Sequence, residues 1–246
     1  VPEMLNFIKA ENLKCRRTFA KKLVFIAPLL TVLLSGISGM YLVQNGYNWW
    51  YTILFPGFIT LTTALINQIE EKKLRYRSVL PLPVSLQKVW ISKILLIAVY
   101  TSAACILHLA GISLGKFLMN PAATIAVSQM AEATLILIIA SLWQIPFCLF
   151  LSKKLGLMAA MLINLGAGIM LGILAATESF WWACPYSWTT RLMCPVLGIL
   201  PNGTLAPQGD ALLNPGVIPL GIVLSIALFL LLLATTAKWF QRQEVK

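Results

Sequence analysis

Residues 216–240 read GVIPLGIVLSIALFLLLLATTAKWF, with no charge before Lys238. A helix rises 1.5 Å per residue, so about 20 apolar residues cross the roughly 30 Å hydrocarbon core of a bilayer. This stretch is long enough to do so, and five others like it occur upstream, at residues 23–43, 49–69, 89–111, 127–151 and 155–177. The spacing predicts an all-α membrane protein with six transmembrane helices in a single membrane domain over residues 1–246. Pro28, Pro56, Pro146 and Pro219 lie in or near these spans and predict kinks rather than breaks, because packed neighbours can satisfy the freed carbonyls.

The composition agrees. Hydrophobic residues make up 59% of the 246 and charged residues 11%, against about 25% charged in a soluble domain. The first apolar run is full spanning length and no A-x-A-like site follows it, so a cleavable signal peptide is not expected, and Met4 looks like a natural start.

The net charge of +11 reads as topology rather than nucleic-acid binding. Seventeen of the 19 basic residues precede span one, lie between spans two and three (Lys93 just inside the latter) or four and five, or close the chain. Only Lys116 and Arg191 fall on the other side. The positive-inside rule then puts both termini in the cytoplasm, and an even number of spans keeps the clusters together. Trp49, Trp50, Trp90 and Trp239 read as headgroup-level anchors at span ends.

Residues 1–22 predict an amphipathic helix on the inner leaflet, with Met4, Leu5, Ile8, Cys15 and Phe19 along one stripe and basic residues elsewhere. The connection Glu70-Glu71-Lys72-Lys73-Leu74-Arg75-Tyr76-Arg77, stopped by Pro81 and Pro83, predicts a short charged cytoplasmic helix over 70–83. Such a helix suits docking on a partner. It is equally read as a solvated loop whose charges set topology.

Residues 178–215 form the long extracellular connection, with Trp181, Trp182, Tyr186 and Trp188. Its aromatics either touch an amphipathic ligand or pack at the interface. Cys184 and Cys194 share this compartment, which permits a disulfide. Glu132 is the one acidic residue inside a span, near its outer end. It is a candidate substrate contact, and it can also reach the interface or pair with Lys116 or His108. Gln129, Gln144 and Asn164 are placed for interhelical hydrogen bonds, and Gly168 with Gly172 form a G-x-x-x-G pair that allows close helix approach.

No G-x-x-x-x-G-K-[ST] loop is present, so ATP cannot be hydrolysed here by that route. H-E-x-x-H and G-x-S-x-G are also missing, and no Cys/His cluster has metal-ligand spacing. A membrane-embedded transferase would need clustered polar groups at one face, and the outer residues form no such motif. No catalytic residue, bound cofactor or metal is therefore expected.

Three stretches carry a resemblance. They are Ala10-Glu11-Asn12-Leu13-Lys14 with Arg17-Thr18, Tyr47-Asn48-Trp49-Trp50-Tyr51 with Pro56-Gly57, and Glu71-Lys72-Lys73 through Val79-Leu80-Pro81-Leu82-Pro83 to Lys88-Val89-Trp90-Ile91-Ser92-Lys93. Together, over about residues 10–95, they resemble the lantibiotic-protection ABC transporter permeases of the MutE/MutG type, the E and G immunity subunits. Beyond that region only the six-span layout agrees. The resemblance implies an ABC-2-like permease in a bacterial plasma membrane. It would pair with a second homologous permease and with two copies of a separate ATPase that holds ATP and Mg. The complex would expel cationic lantibiotic peptides and confer immunity, with no role for nucleic acid. Glu70, Glu71, Lys72, Lys73, Arg75 and Arg77 would then belong to the helix that receives the ATPase stroke. Relatives without a lantibiotic cluster export other antimicrobial peptides such as bacitracin or host-defence peptides, and export of another substrate such as bacitracin or lipid is the alternative for this chain. An ATP-independent immunity protein is the reading from a different class.

Overall fold

The computed structural model describes residues 2–69, 85–119 and 123–242. Among these the chain is helical, with one isolated antiparallel pair, Ile199 and Leu205. Five helical segments are long and apolar enough to cross a membrane, and a sixth forms when a bent pair is counted as one. The all-α, multi-pass reading stands. The short charged helix expected over 70–83 lies outside the described residues.

Helix α1 is Pro2–Cys15 and α2 is Phe19–Gly36. The next span runs unbroken from Gly39 to Gln68: a 3-10 turn Gly39–Tyr41, α3 (Leu42–Trp49), a π turn Trp50–Leu54, and α4 (Phe55–Gln68). The expected boundaries at 43 and 49 are corrected here. The polar run Gln44-Asn45-Gly46-Tyr47-Asn48 is not a loop: Gln44, Tyr47 and Asn48 each make a side-chain hydrogen bond inside the bundle. Tyr47 donates to the Met130 carbonyl at 2.9 Å, and Gln44 donates to the Gly203 carbonyl. Gly46 allows the rod to press on its neighbour, since a Cβ there would stand 2.5 Å from Ile112 Cδ1. The π turn precedes Pro56, which has no N–H to offer the Thr52 carbonyl, so the wider turn absorbs the mismatch.

Helix α5 (Leu86–Met119) is the longest, at 34 residues. It is followed by α6 (Val127–Ser141) and α7 (Gln144–Leu155), bent 42° to one another. The expected span at 127–151 is thus a broken one. Pro146 sits in the first turn of α7, where its missing N–H loses no helical bond, so the break falls just before it. Pro28, by contrast, lies inside a continuous α2. Gly156, at φ 86°, turns the chain into α8 (Leu157–Leu174).

The connection 178–215 is partly helical. It holds α9 (Pro185–Leu197), started by Pro185 and stopped by Gly198 in the left-handed conformation at φ 68°. Helix α9 packs against α6, α8 and α10 (Val217–Gln241). Glycines set those approaches: a Cβ on Gly172 would lie 3.1 Å from the Tyr186 carbonyl, and one on Gly221 2.7 Å from Leu192. The Gly168–Gly172 pair therefore seats α9 on α8. Helices α8 and α10 keep most of their apolar surface outward, as lipid-facing helices do.

Candidate functional site

Among the described residues, Lys14, Lys88, Lys93, Lys153 and Lys154 gather at one end of the bundle. Lys153 and Lys154, at the end of α7, lie over the rings of Phe240 and Trp239 at 5.6 and 5.3 Å. Trp90 stacks on Phe240 at 4.5 Å, and its Nε1–H donates to Thr236 at 3.0 Å, which ties α5 to α10. Trp50 and Trp90 are fully buried, so neither is the headgroup anchor its position predicts.

Helix α1 is docked at this end by charge as well as by apolar contact. Glu11 is buried, with one oxygen 2.7 Å from Lys14 Nζ and the other 3.0 Å from Lys93 Nζ. Lys93 is itself 2% exposed, so this is an ion pair withdrawn from water. Tyr100 donates to Asn12 at 2.7 Å, and Lys88 reaches Glu3 at 2.7 Å. The residues of the expected amphipathic stripe do not all face one way. Cys15 faces inward, whereas Leu5 and Phe19 lie outward. The docked side of α1 centres on an acid, which an apolar stripe cannot register. Burial, then the nearby Glu11 carboxylate, pushes the Cys15 thiol up to about 11.

The interior between α4, α7 and α8 holds a polar junction. Asn164 donates to Thr60 Oγ1 at 2.9 Å and to Gln144 Oε1 at 3.0 Å. Thr60 also lies 3.6 Å from Cys148 Sγ. The interhelical role expected of Gln144 and Asn164 is what the structure has. Gln129 accepts from the Ala126 N–H at 2.8 Å at the start of α6 and reaches the Val196 carbonyl at 3.4 Å.

At the opposite end the two cations are spent on structure. Lys116 donates to the Ala123 and Ile125 carbonyls. Arg191 donates to the Leu212 carbonyl at 2.6 Å and lies over the Trp181 ring. His108 is stacked on Trp50 and bonded to the Gly46 carbonyl at 3.1 Å. Glu132 is exposed on α6 and pairs with neither Lys116 nor His108. The tether expected for it does not form.

The aromatic contacts separate. Trp181 and Trp188 are buried with Trp143, and Trp188 Nε1–H donates to the Trp182 carbonyl. They are packing residues rather than an exposed contact surface. Trp182 is 53% exposed and Phe180 54%, which leaves these two facing outward. Cys184 and Cys194 are free thiols. Cys184 caps α9 and Cys194 lies within it, so ten residues of helix hold them roughly 15 Å apart, beyond the roughly 7 Å a disulfide allows. The proposed bond is ruled out by that helix, which the prolines concealed.

No known protein family, characterised protein or solved structure matches this chain. Among the described residues, no three of His, Cys, Asp or Glu converge on a metal-sized site. The site residues that sequence reading missed are Glu11 and Lys93. Lys93 carried a signal: a cation four residues inside span three needs a partner.

Proposed function

We propose that this chain is the membrane subunit of a multi-subunit ABC exporter that expels lantibiotic or related cationic antimicrobial peptides from a bacterial plasma membrane. The resemblance over residues 10–95 supports the reading. One structural observation supports it most: residues that carry the resemblance are those that tie helices together. Glu11 and Lys93 form the buried ion pair, Trp90 binds Thr236, and Tyr47 reaches the Met130 carbonyl. A subunit driven by another protein needs a stiff link between its docking segment and its spans. Helix α5 begins just after 70–83 and is pinned near its start to α1 and α10. A push on Glu70, Glu71, Lys72, Lys73, Arg75 and Arg77 would then move three helices as one body.

In this reading ATP and Mg sit on a separate ATPase present in two copies, and a second permease subunit completes the channel. Glu132 and Trp182 remain the substrate contacts. Affinity purification from native membranes tests the assembly. It should recover an ATPase and a second permease, and disabling the ATPase should abolish resistance to the peptide. Full resistance without any ATPase would make this a passive immunity protein.

A further inference from the structure

On the face opposite the basic clusters, two clefts of about 460 and 260 Å³ share Tyr41, Gln44 and Leu205 in their linings. The larger is lined by side-chain amides, those of Gln44, Asn45, Asn48 and Asn202, with Trp49 beside them. The smaller is apolar, with Met40, Val43 and Ile125. Neither lining contains a charged residue.

Leu205 brings one open main-chain N–H and C=O pair to this groove. It faces Ile199 as an isolated antiparallel pair. The flanking bonds, Leu200 N–H to the Thr204 carbonyl and Ala206 N–H to the Gly198 carbonyl, are both 2.8 Å. The pair is therefore of the non-hydrogen-bonded kind, and the Leu205 N–H and C=O point away from Ile199. Among the described residues neither bonds another main-chain group. Gln44 adds a second open valence. Its amide nitrogen holds the Gly203 carbonyl, while its buried Oε1 has no donor.

We infer that this groove receives an extended peptide segment, added as a strand at Leu205, with its backbone bonded to the amide side chains and one apolar side chain in the smaller cleft. Strand addition supplies affinity through main-chain bonds and selectivity through alternate side-chain pockets. Gln44 and Asn48 keep an open acceptor and Asn202 an open donor, their other halves holding Gly203, Tyr51 and Thr204, while Asn45 offers both in one plane, the complement of a peptide group. A saccharide has no alternating N–H and C=O at strand spacing, and it would leave the apolar cleft empty. Because the lining is uncharged, recognition falls on the backbone and not on the cationic side chains. The inference rests on the exporter reading and gives its substrate a seat distinct from Glu132.

The test is calorimetric, on the full chain in lipid nanodiscs. The probes are a capped neutral hexapeptide of alternating leucine and serine, two twins N-methylated at alternate amides on one edge or the other, and N,N′-diacetylchitobiose. The inference expects the unmethylated peptide to bind, and one twin to bind about tenfold more weakly for its lost main-chain bonds. Asn45→Ala should weaken the unmethylated peptide several-fold. Equal binding of all three peptides, or binding of the disaccharide in preference, overturns the inference. The two readings fail separately. Edge-dependent binding by a chain that exports nothing keeps the groove and removes the exporter. Peptide export with equal binding of the twins does the reverse.

Discussion

Glu11 on α1 and Lys93 on α5 form an ion pair at 3.0 Å with both side chains almost wholly withdrawn from water. Removing one partner of such a pair leaves a buried charge and costs about 3–5 kcal/mol. Glu11→Gln should therefore destabilise the chain strongly, while Glu11→Gln with Lys93→Met should recover most of the loss. Lys14→Ala, at the more exposed partner, should cost under about 1 kcal/mol. Thermal unfolding in detergent reads all three. Equal, small effects would mean that α1 is held by its apolar contacts alone.

Gly46 and Ile112 test the contact between the second span and α5. Gly46→Ala places its Cβ 2.5 Å from Ile112 Cδ1, an overpacking that costs about 1–3 kcal/mol. Ile112→Val deletes that methyl, so the double variant should regain most of the stability. Failure of the rescue would place the strain elsewhere.

The junction of Asn164 and Gln144 is a polar contact within the membrane. Interhelical hydrogen bonds in membrane proteins average about 0.6 kcal/mol, with a maximum near 1.7. A double-mutant cycle with Asn164→Ala and Gln144→Ala should give a coupling in that range. A coupling of zero would mean that the 3.0 Å contact contributes nothing.

Glu132 is exposed and pairs with neither of its expected cations, so its charge carries no packing role. Glu132→Gln should express and assemble normally and shift stability by less than about 0.5 kcal/mol. Reduced protection against the peptide would then report a contact with substrate. Full protection at normal expression would remove Glu132 from the site.

Cysteine chemistry gives a pH dependence. Burial raises both Cys15 and Cys194 to about 11 from a usual value near 9. The thiolate is the reacting form. Both sulfurs are also out of reach of solvent, so alkylation of these two in the folded protein should stay slow through pH 9, whereas in denaturant it should be fast there. Labelling followed by mass spectrometry should also find Cys184 and Cys194 both free without reductant. A linked pair would contradict the geometry of α9.

Much of the fold was legible because lipid-facing helices are apolar all round. The segments at 155–177 and 216–240 needed only length and hydropathy, and α8 and α10 lie where those predict. The failures share a cause. Gln44, Asn45 and Asn48 read as a loop because hydropathy cannot register partners supplied by distant segments, such as Gly203. Helix α9 was hidden by Pro185, Pro195, Thr189, Thr190 and Arg191, polar or helix-breaking residues that tertiary contacts accommodate. Glu11 broke the apolar stripe of α1 while sitting on its docked side. Of the candidate site, the exposure of Glu132 and Trp182 was compatible with the sequence. The burial of Trp181 and Trp188 depended on Trp143, over 30 residues away.

The most direct measurement is ATP hydrolysis by the reconstituted complex of this chain, a second permease and the partner ATPase, with and without cationic peptide. The account predicts peptide-stimulated hydrolysis, lost in the charge reversal Lys72→Glu, Lys73→Glu, Arg75→Glu although the variant inserts normally. Unchanged assembly, stimulation and resistance in that variant would contradict the claim that this chain is driven through residues 70–83.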